Sequence, residues 1–243
     1  MRTLVLVIAL ALPSIAHAQT SSSAEDPYAP PTGDRPTSGD ASLFSGRTLG
    51  VGNVMLAAMA GWPGASAQLE LAPTSLFNIG IRGSFLWGSP MMGVVVGLGG
   101  ELAVPMRLRV WGENQVDLAI VLEPMFAIGP GNAYGEQAYG NLLGYGSRLD
   151  AGARLGWQAD PHFTLFVGAT AGGGFAEVPR MGSSVQPIGV VYGTIGGEVL
   201  TSRDFMLFLR SDLGYGLAPD RMGVPYFQDR FFLRLVFGGA FLL

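Results

Sequence analysis

The sequence predicts an all-β fold: a closed, antiparallel, up-and-down transmembrane β-barrel of about ten strands, with eight as the alternative. Three observations lead there. The 243 residues are 49% hydrophobic but only 13% charged, with 37 glycines and no lysine, so all 14 basic side chains are arginine. A soluble domain typically carries about 25% charged residues. No apolar run beyond the first few residues approaches the roughly 20 that a membrane helix needs. Instead, large apolar residues alternate at a period of two with glycine, small residues and charges, the signature of strands with one apolar face.

Taken in order, Arg2 precedes the apolar stretch Leu4 to Leu12, followed by Pro13 and Ala16-His17-Ala18. A positive start, a short apolar core and an Ala-x-Ala end describe a secretory signal peptide over 1–18, cleaved before Gln19. Residues 19–47 are rich in Ser, Pro, Asp and Gly and nearly empty of large apolar residues. Such a segment cannot bury enough surface to offset the entropy of ordering, and is expected to be a flexible periplasmic tail. The barrel is expected over 48–243.

Strands are expected at about 49–61, 65–72, 76–87, 91–110, 115–129, 146–158, 162–176, 188–200, 204–216 and 229–243. In the third, Phe77, Ile79, Ile81, Phe85 and Trp87 share one parity, and Asn78, Gly80, Arg82 and Ser84 the other. Val94 to Val110 oppose Glu101, Arg107 and Arg109; Val116 to Ile128 oppose Asp117 and Glu123. Leu149 to Trp157 are set against Arg148, Asp150 and Arg154, and Phe205 to Tyr215 against Arg210 and Asp212. Phe231 to Leu243 oppose Arg230 and Arg234. In these segments no charge falls on the apolar parity. A soluble sandwich would turn the apolar face inward; a membrane barrel turns it to lipid. Faces of glycine and alanine with isolated charges make a weak water surface but suit a narrow lumen.

Pro73-Thr74-Ser75, Gly112-Glu113-Asn114, Asp160-Pro161 and Ser202-Arg203 mark short turns, while longer links lie near 130–145, 177–187 and 217–228. The alternation expects short periplasmic turns, long extracellular loops and both termini in the periplasm. A three-residue turn Gly112–Asn114 would place Arg109 directly opposite Asp117 as an ion pair. Trp62, Trp87 and Trp157 sit at strand ends, as expected of an interfacial aromatic belt; Trp111 does too, but on the lumen parity. Pro105 and Pro124 interrupt regular strands, so a bulge is expected, or an extension of the chain beyond Pro105 out of the bilayer.

With these features the chain resembles the small bacterial outer-membrane β-barrel proteins. The resemblance covers nearly all of the chain after the tail and is architectural. Its most specific residues are Leu233, Leu235, Phe237 and Phe241 in the last strand, similar to the insertion signal read by the barrel assembly machinery. Terminal Leu243 and Gly239 depart from that signal. The resemblance implies an outer-membrane address, with the lipid bilayer, lipopolysaccharide and the assembly machinery as partners. It implies no single activity.

Enzymes among such barrels resemble one another in using a histidine as acid or base, and the chain after Ala18 holds only His162, beside Pro161 in a turn. The glycine clusters at Gly97-Gly99-Gly100, Gly172-Gly173-Gly174 and Gly196-Gly197 lack the helix and lysine of a phosphate loop. There is no cysteine, and no His, Asp or Glu cluster has metal spacing. No catalytic, cofactor-binding or metal residues are expected, and the mild net charge of −4 argues against a nucleic-acid partner. What remains is a lumen charge network of Glu101, Arg107, Arg109, Asp117, Glu123, Arg148, Asp150, Arg154, Glu198, Arg210, Asp212, Arg230 and Arg234. Two readings of it are open: paired charges that plug a structural barrel, or a narrow small-solute channel favouring anions. A membrane hydrolase stands behind both. Tyr134, Tyr139, Tyr145 and Tyr226 mark the loops in which an unidentified partner would be sought.

Overall fold

The computed structural model describes residues 41–91, 98–130, 143–178, 184–219 and 227–243. Eleven strand segments run in order: β1 (Val54–Trp62), β2 (Gly64–Leu71), β3 (Phe77–Leu86), β4 (Gly99–Ala103), β5 (Met106–Glu113), β6 (Val116–Pro130), β7 (Leu143–Asp160), β8 (Phe163–Val178), β9 (Ser184–Leu200), β10 (Phe205–Pro219) and β11 (Phe227–Leu242). All pairings are antiparallel, each strand except the collinear β4 and β5 lies beside its sequence neighbours, and β1 pairs with β11 from Met55↔Leu242 to Trp62↔Leu235. The sheet therefore closes on itself and leaves no edge, the condition for a sheet to survive in lipid.

β4 and β5 are two halves of one strand position, which makes a ten-stranded barrel. Arg82 faces Ala103 and Ile79 faces Met106, so the register runs unbroken across Val104 and Pro105. The ladder also holds where it can: the Val104 N–H donates to Pro124 O at 2.9 Å, and the Gly80 N–H donates to Pro105 O at 2.8 Å. Each proline removes one donor without displacing the strand.

The bulge expected near Pro105 lies instead at Val110. Arg109 pairs with Ala119 and Trp111 with Leu118, leaving Val110 as the extra residue. Gly112 and Glu113 belong to β5, opposite Asp117 and Val116, so the turn is the two-residue Asn114–Gln115 rather than Gly112–Asn114. Asn114 adopts φ 55°, a left-handed conformation that asparagine accepts more readily than most residues. The extra residue also flips the parity beyond it. Trp111 is therefore exposed on the outer face, not in the lumen.

Outside, the strands present an apolar surface that includes Leu69, Phe85, Leu102, Ile120, Val191, Ile195 and Phe237. Inside, Arg82, Arg107, Asp117, Arg148, Asp150, Arg154, Glu198, Arg210, Asp212 and Arg234 are buried. Among described strand side chains, the charges exposed to the outside are Glu113 and Asp160, both at strand ends. This is the reverse of a soluble barrel's distribution.

The tail boundary at residue 47 is corrected. Ser42, Leu43, Phe44, Ser45 and Leu49 are buried, and β1 begins only at Val54. Residues 41–47 are folded rather than loose; 1–40 lie outside the described residues. So do most of the long links, with Tyr134, Tyr139 and Tyr226 among them. Tyr145 belongs to β7, not to a loop, and stacks on Phe126 on the outer face with centroids 6.4 Å apart.

Candidate functional site

The segment from Ser42 to Leu49 lies inside the barrel at its short-turn end. Glu198 on β9 accepts three hydrogen bonds from it: Ser42 Oγ at 2.5 Å, Leu43 N–H at 2.9 Å and Phe44 N–H at 2.7 Å. Arg107 on β5 donates to Ser45 O (3.0 Å) and Ser42 O (2.6 Å), and to Glu70 on β2 (2.7 Å). Arg47 bridges Asp117 on β6 at 2.8 Å and donates to Gln158 on β7 at 2.7 Å. Phe44 lies edge-on to Phe208 at 5.0 Å and tilted to Phe166 at 5.9 Å, with the Arg210 guanidinium over its ring at 5.2 Å. A single short segment touches so many walls only from within. Glycines make room for it: a Cβ on Gly156 would come within 2.7 Å of Ser45 Cβ, and one on Gly46 within 2.2 Å of the Asp117 carbonyl.

Above this plug, charges pair along single strands and between neighbouring strands of the wall. The two-residue period puts Arg148 beside Asp150 on β7 (2.7 Å) and Arg210 beside Asp212 on β10 (2.9 Å). Asp212 lies opposite Arg234 on β11 and Thr194 on β9, and engages both, at 3.7 Å and 2.5 Å. Arg82 on β3 bridges Glu101 at 3.2 Å and also pairs with Glu123. That arginine relieves a like-charge contact, because Glu123 directly faces Asp150 in the β6–β7 ladder. Tyr192 donates its hydroxyl to Asp150 at 3.0 Å.

Toward the long-loop end the described residues form an apolar cluster. Met91, fully buried, bridges to Phe232 and packs with Val190 and Tyr192; Tyr192 and Phe232 stack at 4.8 Å. The Leu233 N–H donates to Pro90 O at 2.8 Å, holding this end of the β3–β4 link against β11. Among the described residues lie two interior cavities of about 50 Å³ each.

Of the sequence-predicted network, the structure brings Glu101, Arg107, Arg109, Asp117, Glu123, Arg148, Asp150, Arg154, Glu198, Arg210, Asp212 and Arg234 to the lumen. The side chain of Arg230 lies outside what is described. Arg109 does pair with Asp117 at 2.6 Å, but diagonally across the bulge rather than from the position directly opposite. Sequence reasoning put Asn78 and Arg82 on the polar parity but left them out of the network, and it missed Glu70 and the whole plug. Gln68 and Glu70 alternate with Leu69 and Leu71, and Arg82 shares its parity with Asn78, so a signal was present for these. Trp87 and Trp157 are exposed outside at strand ends, whereas Trp62 lays its six-membered ring over Gly88 with its Nε1 buried. His162 is exposed in the β7–β8 turn, where its N–H donates to Asp160 at 2.7 Å.

Closure of the first strand on the last, an apolar exterior and a charge-paired interior define the class of transmembrane β-barrels. No protein-family model and no curated protein matches the sequence. Among solved structures, the chain is similar to the outer membrane protease OmpT from Escherichia coli (7% identity, TM-score 0.48). That similarity covers 79% of this chain and 97% of OmpT. It is also similar to Ail, the attachment invasion locus protein of Yersinia pestis (8% identity, TM-score 0.39). There it covers 79% of this chain and all of Ail, at 100%. Both are bacterial outer-membrane β-barrel proteins. The likeness is one of fold, and neither protein's activity is carried over.

Proposed function

We propose that this chain is an integral outer-membrane barrel with a structural or interaction role, not an enzyme, and that its lumen is closed to solutes. The carrying observation is the plug: Ser42 to Leu49 sits within the short-turn end and is hydrogen-bonded to Glu198, Arg107 and Asn78 on three different strands. The paired charges above it and the Met91–Phe232 contact beyond support the same reading. In this reading the first 18 residues are an export signal, the short turns and both termini face the periplasm, and the last strand is offered to the assembly machinery. The apolar belt meets lipid and lipopolysaccharide, and the long links are the surface for a partner.

Single-channel recording in a planar bilayer tests the reading. Insertion is checked first by protection of the strands from protease. Inserted but electrically silent protein is the expected result. Stable, discrete conductance steps would instead support the narrow anion-favouring channel, above all if Arg→Ala changes in the lumen abolished the anion preference.

A further inference from the structure

Seven described lumen arginines have a carboxylate within ion-pair distance: Arg47, Arg82, Arg107, Arg109, Arg148, Arg210 and Arg234. Arg154 on β7 is the exception among the described residues. It is only 5% exposed, and its Nη1 is buried with no hydrogen-bond partner. Its position is built, because Arg154 directly faces Gly168 on β8, where a Cβ would come within 2.4 Å of that same Nη1. Asp212 and Glu123 act on it only from beyond ion-pair distance, and a guanidinium held out of water without a directly contacting carboxylate is unfavourable.

Arg154 lines an interior cavity whose lining also carries further buried groups without partners. Arg107 Nε and Thr170 Oγ1 are both buried donors without partners, on residues that line the same cavity. Its described lining holds four arginines (Arg82, Arg107, Arg154 and Arg210) against three carboxylates (Glu70, Glu123 and Asp150). Arg82 and Arg210 are also compensated by Glu101 and Asp212, which lie outside this lining, so Arg154 is the lining arginine without an ion-pair carboxylate, and the cavity has spare donors. At about 50 Å³ it admits more than one water-sized sphere but not a sugar ring or an acyl chain.

We propose that this cavity binds a small monovalent inorganic anion of the chloride class, which acts as the counter-charge of Arg154 and accepts from Thr170. Water would satisfy the donors but not the charge. The unpartnered acceptor Gln68 Oε1, on a residue of the same lining, could accept from an accompanying water. The site is independent of whether the barrel conducts.

The full chain, refolded into detergent micelles in sodium chloride or in sodium gluconate of equal ionic strength, provides the test. Above the dissociation constant, each tenfold rise in chloride is expected to add about 1.4 kcal/mol of stability, with no such gain in gluconate. R154Q should lose the chloride dependence, and T170V should shift it to higher chloride. Equal stability in both salts, or an undiminished chloride dependence in R154Q, overturns the proposal. Should R154Q fail to fold, crystals of the unaltered protein grown in bromide decide the matter. An anomalous peak beside Arg154 is expected, and a cavity without one overturns the proposal.

Discussion

At Asp212 three strands converge: Arg210 two residues away on β10, Arg234 opposite on β11 and Thr194 opposite on β9. The carboxylate is fully buried and neutralises two guanidinium groups at once. Asp212→Asn keeps the shape but leaves both arginines uncompensated. It should cost about 3–5 kcal/mol, the usual loss when one member of a buried ion pair is removed. The check is the denaturant midpoint of the refolded barrel. Phe44 tests the plug in the same way, since its ring fills the space between Phe166, Phe208 and Arg210. Truncation to Ala should cost about 3–5 kcal/mol by transfer and cavity terms together.

Among the elements, the plug differs from the strands in having no ladder of its own. Its backbone groups are satisfied by side chains of the wall, chiefly Glu198 and Arg107. The protein has no native cysteine, which allows a clean accessibility test. The thiol of Ser45→Cys, at a position 1% exposed, should resist a water-soluble thiol reagent in the folded barrel. That of Val51→Cys, at a position 63% exposed, should label rapidly. Equal labelling would mean that the segment is not seated inside. Adding Gly156→Val to Ser45→Cys should expel the plug and make the introduced thiol reactive, because a Cβ at 156 meets the Ser45 Cβ at 2.7 Å. The bulge at Val110 acts at the same scale: one extra residue sends Trp111 outward and lets Arg109 reach Asp117 on the diagonal.

The whole molecule is organised by what faces lipid. Val191, near the middle of β9, is 63% exposed on the outer surface. In a soluble protein an arginine at such a position would change stability by no more than about 0.5 kcal/mol. On the lipid face near the bilayer midplane it should cost about 2–4 kcal/mol. Comparing denaturant unfolding of Val191→Arg and the parent in lipid vesicles separates the two cases. A cost within the soluble range would argue against a membrane-facing exterior.

The alternation of side chains was enough to read a barrel of about ten strands, with eight still open, and the inward and outward faces and most of the lumen charges. Side-chain parity is a local property that each strand carries alone. Arg148-x-Asp150 and Arg210-x-Asp212 were legible for the same reason, as a period of two places both members on one face. The turn at Asn114 held a readable signal in its asparagine, but the bulge that accompanies it depends on how β5 meets β6. The plug had no comparable local signature. Leu43 and Phe44 are two apolar residues in a polar run, and their burial becomes favourable only once the closed barrel encloses them. Likewise, Arg154 reads in the sequence as one more lumen arginine. Only tertiary structure, which sets which groups come within ion-pair distance across the barrel, left it without a carboxylate.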